Sequence, residues 1–145
     1  YGAKEFDKLL SVVNYGINRA VLITTISVIF FFVLASNILP IFSSNPLVID
    51  IGVTYLKIII LVYPAVGISV ICSRVCQALG QGMPLLITTI TRVIILTAPL
   101  SYYFYFTGRP IEWVWFSQVF AILIAATISF AWMRYYFRKF NIVRN

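Results

Sequence analysis

No charged side chain occurs between Ala20 and Ile49, and none between Trp113 and Met133. Wound as α-helices these runs are ~45 Å and ~32 Å long, enough to cross a hydrocarbon layer of about 30 Å. Inside lipid the backbone has no water to bond, and a helix satisfies its own N–H and C=O groups. Composition agrees: 61% of the residues are hydrophobic and 10% charged, where a soluble domain has about 25% charged. The expected class is therefore an all-α, polytopic integral membrane protein.

Punctuation divides the chain into a lead-in and four spans. From Lys4 to Ile17, the apolar Phe6, Leu9, Leu10, Val13 and Ile17 recur at helical spacing. Lys4, Glu5, Asp7, Lys8 and Asn14 fall largely on the other side. This predicts an amphipathic helix over 1–17 that lies on a membrane surface or runs into the first span. Span one covers about 18–39, between Arg19 and Pro40, with the turn Ser43-Ser44-Asn45-Pro46 after it. Span two covers about 47–79. At ~50 Å as one helix it must project from the bilayer, and Pro64, midway, should kink it by freeing the carbonyl of Ile60. Span three covers about 84–106, with Pro99 breaking it near its far end and freeing the carbonyl of Ile95. Span four covers about 112–137.

Between spans two and three lies Cys-Gln-Ala-Leu-Gly-Gln-Gly-Met-Pro, Cys76 to Pro84. Gly80 and Gly82 are suited to left-handed helix-ending conformations, and Pro84 to the first turn of the next helix. These three residues are the expected hinge.

Net charge is +7, with no histidine. The charges sit at the ends of apolar runs, so membrane orientation accounts for them better than nucleic acid does. Four spans place Lys4, Lys8, Arg19, Arg74, Arg134, Arg138, Lys139 and Arg144 on one side. The other side has Arg109 and a snorkelling Lys57, with Asp50 and Glu112. The bias predicts a multi-pass protein of the cell (plasma or inner) membrane with both ends cytoplasmic. Tyr102, Tyr103, Tyr105, Trp113 and Trp115 form one aromatic belt; Trp132, Tyr135 and Tyr136 form the other.

Small residues recur every four positions at Ser117, Ala121, Ala125 and Ser129, and at Ala65, Ser69 and Ser73. Such ridges let helices approach closely in lipid and read as structural. Cys72 and Cys76 have no further Cys or His to complete a zinc site, and read as small packing residues.

Arg92 lies ~12 Å inside span three, counted from Pro84. Two readings stand side by side: it faces protein or water as part of a functional site, or it snorkels to the surface. Thr88 shares its face, with Thr89 and Thr91 nearby. For Lys57, snorkelling is preferred to a cavity role. Pro64, with Tyr63 beside it, marks either a cavity-facing bend or a static kink. The candidate cavity or gating residues are thus Lys57, Tyr63, Pro64, Arg92 and Pro99. No acid lies within a span, and no phosphate-binding glycine loop or Walker lysine occurs. A hydrolase, a metalloenzyme or an ATP-driven pump would need such groups, so no enzyme, no metal site and no cofactor is expected.

Tyr1-Gly2-Ala3-Lys4, Tyr55-Leu56-Lys57, Pro64, Gly67, Gln77-Ala78-Leu79-Gly80, Met83-Pro84-Leu85-Leu86, Arg92 and Pro99-Leu100 together form a pattern. In order and spacing it resembles the C-terminal part of a multidrug and toxic compound extrusion (MATE) transporter, the last four of twelve helices. Tyr1 in place of a start methionine fits that expectation of a fragment. The resemblance implies part of a six-helix lobe of a secondary antiporter that exports organic cations or drugs against sodium ions or protons. Its partners would be the lipid bilayer, the remaining helices of the same chain and the organic cation, with no nucleic acid. Some members carry an ion-coupling carboxylate on the helix matching span two; here that span has only Asp50, near its outer end, so the coupling site is expected outside this fragment. Two other readings remain at this stage: a related flippase of lipid-linked saccharides, and a small non-transporting membrane subunit.

Overall fold

Prolines decide where this chain bends. In a computed structural model, residues 6–142 are described, with side chains described for 8–139. Six α-helices and one π-helical segment follow in order: α1 Phe6–Phe42, α2 Pro46–Ile60, α3 Tyr63–Ala78, α4 Met83–Ile90, the π segment Thr91–Thr97, α5 Ala98–Phe106 and α6 Ile111–Ile142.

The lead-in and span one are a single helix of 37 residues, α1. No proline or cap interrupts it, and Gly16 costs only about 1 kcal/mol in a helix interior, too little to end one. Of the expected apolar face, Leu10, Val13 and Ile17 pack into the core, while Leu9 is exposed. The side chains of Lys4, Glu5, Phe6 and Asp7 lie outside the described residues. Pro40 does not stop the helix, which runs on to Phe42. Asn45 then caps α2 by accepting the Leu47 N–H at 3.0 Å.

Span two bends beside Pro64 as expected, sharply enough to divide the helix. It is two helices, α2 and α3, bent by 48° at Leu61 and Val62. The break falls before Pro64 because a continuous helix would need residue 64 to donate to the Ile60 carbonyl. Pro64 has no N–H and its ring would clash there. It sits instead in the first turn of α3, where neither matters.

Span three differs in the other direction. Pro99 does not break it; Met83–Phe106 runs through as one apolar span. The strain is absorbed upstream, where Thr91–Thr97 widens into a π-helix and Ala98 N–H bonds the Val93 carbonyl, five residues back. Pro99 then lies in the first turn of α5. Span four, α6, is longer than 112–137, extending to Ile142. By length and apolarity, three helices can cross a membrane, or four with α2 and α3 as one broken span.

Helix α6 is the centre. It packs against every other helix, while α1 also packs on α2 and α3. Its ridge is buried throughout: Ser117, Ala121, Ala125 and Ser129, continued by Met133 and Phe137. One residue in four, all small until the last two, lets α3 and α5 come close. At one end Met133 and Phe137 close a core with Val13 of α1 and Cys72 and Cys76 of α3.

Candidate functional site

Two irregular stretches of backbone lie at mid-span, and each carries sequence-nominated residues. The first is the α2–α3 break. Ile60 and Val62 are buried on either side of it, with Leu61 and Tyr63 exposed between and after them. Val62 N–H bonds the Ile59 carbonyl at 3.2 Å, a tightened turn, and the helix resumes with Val66 N–H on the Val62 carbonyl at 3.1 Å. Residue 64 gives the Ile60 carbonyl no helical donor. That carbonyl belongs to the C-terminal end of α2, where the helix dipole is negative.

Lys57 stands one turn before the break and is half-buried. Its Nζ lies 5.5 Å from the ring centroid of Phe32 on α1. The ammonium is thus held against an aromatic face between two helices. Pro64 is half-buried and Tyr63 exposed.

The second stretch is the π segment. It carries Arg92, half-buried, and feeds Pro99, which is exposed. In the polar neighbourhood of Arg92, Thr88 Oγ1 donates to the Pro84 carbonyl and Thr89 Oγ1 donates to the Leu85 carbonyl at 2.8 Å. Both hydroxyls spend their protons on their own helix and keep their oxygen lone pairs as acceptors.

These two stretches are not brought together within the described residues. The π segment packs on α6 and its own flanks, whereas α2 and α3 pack on α1 and also on α6. Lys57, Tyr63 and Pro64 form one group and Arg92 and Pro99 another, with α6 shared between them.

The hinge between α3 and α4 is well defined. Gly80 has φ +81°. Its N–H bonds the Gln77 carbonyl at 2.9 Å, and Gln81 N–H bonds the Cys76 carbonyl at 2.9 Å. This is a Schellman motif, and it needs a left-handed residue at position 80. Gly82 does not share that role: its φ is −81°, ordinary for any residue. Pro84 is buried in the first turn of α4. Tyr136 O–H donates to Gln81 Oε1 at 3.4 Å, tying the hinge to α6.

Three features go beyond what the local sequence pattern indicates. Gly108, φ +64°, ends α5 with the same motif: Gly108 N–H on Tyr105 and Arg109 N–H on Phe104, both at 3.1 Å. Serines bridge helices, Ser69 to Ser129 at 3.1 Å and Ser101 to Ser117 at 3.1 Å. Cations rest on rings, Arg19 on Tyr15, Arg109 on Trp113 and Arg134 on Phe130, besides Lys57 on Phe32. Thr-Gly-Arg-Pro before span four is the sequence signal for Gly108; the small-residue ridges carry no sign of which serines pair.

Among the described residues no three His, Cys, Asp or Glu side chains could hold a metal ion. Compared with known families, the chain matches the family model described as MatE over residues 1–103. The match takes in α1, the broken α2–α3 pair, the hinge and the π segment, and stops short of α6. No curated protein matches the chain, and no solved structure does.

Proposed function

Since the chain belongs to the MatE family, a family of transporters rather than enzymes, we propose that it forms part of the C-terminal lobe of an antiporter that exports organic cations. The spans here would be the last four of that protein, in a six-helix lobe, with both ends of the chain cytoplasmic. Sodium ions or protons would drive export.

The observation that carries this reading is the α2–α3 break. A span interrupted at mid-membrane, with its half-helix end and a freed carbonyl, is how transporters present backbone to a cation. The negative end of α2 at Ile60 suits a positively charged substrate or coupling ion. Aromatic Tyr63, exposed beside it, offers a ring face to an organic cation. The four acids of the chain are Glu5, Asp7, Asp50 and Glu112, and the two that fall in spans, Asp50 and Glu112, lie near span ends. The coupling carboxylate would then belong to helices outside this chain.

Removing the break tests the proposal. In the full transporter, Pro64→Ala restores a donor to the Ile60 carbonyl and should straighten the span. Ion-gradient-driven efflux of a fluorescent organic cation should fall several-fold, while Gly82→Ala, at an unstrained and open position, should leave it intact. Wild-type efflux by the Pro64 variant sinks the bent-helix mechanism.

A second reading, a flippase of lipid-linked saccharides, draws on one observation: Arg92 is half-buried in a span that has no acid. A cation there suits a phosphate. Arg92→Gln separates the two, since loss of lipid-linked saccharide translocation with organic-cation efflux absent throughout would favour the flippase.

A further inference from the structure

The end of the bundle where α1, α3 and α6 meet has a second property that transport does not use. Val13, Cys72, Cys76, Met133 and Phe137 lock the three helices together there. Each helix then carries cations within a turn or two of that core. Arg74 lies between the two cysteines, and Arg134 and Arg138 each follow a buried core residue, Met133 and Phe137. All three are exposed, as is Lys139. Arg134 and Arg138 are four apart, so they share one helix face.

These cations sit at headgroup depth. Helix α6 is 32 residues long, ~48 Å, against a hydrocarbon layer of about 30 Å, so its last turns stand clear of the acyl chains. Trp132, Tyr135 and Tyr136 mark the interfacial level directly beside them. Arg134 lies 5.1 Å from the Phe130 centroid, which fixes the guanidinium and leaves its in-plane donors for another acceptor. Arg74 shares one donor with Gln77 at 3.2 Å.

The opposite end differs. Its cation Arg109 rests on Trp113, and two acids, Asp50 and Glu112, offset it. At the α1–α3–α6 end, the described helices bring Asp7 alone among acids.

We propose that this end binds the phosphate headgroup of an anionic phospholipid, with Arg134 and Arg138 as its principal ligands and Arg74 and Lys139 on its rim. Two exposed guanidinium groups on one helix face, that of Arg134 seated on Phe130, suit the bidentate recognition of a phosphate. The adjacent aromatic girdle suits the glycerol and upper acyl region of the same molecule. The lipid would fasten three helices from outside, at the level where their shared core ends.

The experiment uses the full chain in neutral detergent micelles and pyrene-labelled phosphatidylglycerol, followed by energy transfer from tryptophan. Saturable binding is expected, with pyrene-labelled phosphatidylcholine far weaker. Arg134→Gln with Arg138→Gln should weaken phosphatidylglycerol binding about thirty-fold, from the typical contribution of a basic residue at an anionic membrane surface. Arg109→Gln, at the other end, should not change it. If the double variant fails to fold, Arg134→Lys with Arg138→Lys, and high salt on the unaltered chain, carry the test: the lysine pair should weaken binding and high salt should abolish it. Equal binding of the two lipids, salt-insensitive binding, or an unchanged affinity in the double variant overturns the proposal. Full competition by inorganic phosphate also overturns it, since the site would then take a free anion rather than a lipid.

Discussion

Ser69 and Ser129 share a hydrogen bond across the α3–α6 contact, their Oγ atoms 3.1 Å apart. Ser73 donates to the same Ser129 hydroxyl at 3.5 Å, so one side chain of α6 meets two from α3. In lipid, where apolar surface gives helices no reason to prefer each other over acyl chains, packing and such bonds carry the association. Ser129 is 1% exposed. Ser129→Ala keeps the packing and loses the bond, and should cost about 0.6 kcal/mol, typical of one interhelical bond in a membrane. Ser129→Leu overfills the contact and should cost about 1–3 kcal/mol. Thermal unfolding of the purified chain in detergent checks both; an alanine variant as damaging as the leucine one would show that the bond outweighs the fit.

The two hinge glycines should behave differently. Gly80→Ala forces a left-handed alanine and should destabilise by about 1–2 kcal/mol. Gly82→Ala should be neutral or slightly stabilising, because its backbone is ordinary and nothing lies within 4 Å of a new Cβ. Gly108→Ala should follow Gly80, at φ +64°. The same unfolding measurement ranks the three, and a Gly82 variant as unstable as the Gly80 one would contradict the backbone assignment.

Lys57 and Phe32 should be coupled. A double-mutant cycle with Lys57→Gln and Phe32→Leu is expected to give about 0.5–2 kcal/mol of interaction energy. Additive effects would mean that the ammonium does not rest on that ring in solution.

Cys72 and Cys76 are buried, at 0% and 1% exposure. In the folded protein a maleimide should label them far more slowly than in the detergent-unfolded chain. Met133→Ala opens a cavity beside them, and should raise the labelling rate of both by loosening the core rather than by changing the thiols. Fast labelling of the unaltered protein would refute the α1–α3–α6 core.

The helical membrane character of the chain was legible because uncharged runs longer than a bilayer leave few alternatives. The small-residue ridge of α6 was legible for a similar reason: a period of four is a helix face whatever packs on it. Prolines announced irregularity but not its form. Pro64 and Pro99 each deprive a carbonyl four residues back, yet one produces a break and the other a π-widening upstream. Which outcome occurs depends on the helices packed alongside, and a local sequence does not contain them. Lys57 reads locally as a headgroup-seeking side chain; its ring partner Phe32 lies on another helix, 25 positions away in a different span, where no local pattern reveals it. Arg92 and Pro64 were nominated together by their rarity, and rarity carries no information about distance. Gly82 was overvalued beside Gly80, since a Schellman motif needs one left-handed residue and the sequence offered two.

Helix α6, against which all the others pack, is made last of the helices described. Until a ribosome has delivered it, α1 and the broken α2–α3 pair can associate, but α4, the π segment and α5 lack their main neighbour. Biogenesis must then hold early spans in the bilayer, or beside an insertion machine, while they await a late keystone. A frameshift or stop after Gly108 would leave otherwise intact spans without a common partner, and quality-control proteases should clear such a product even though every candidate transport residue is present in it.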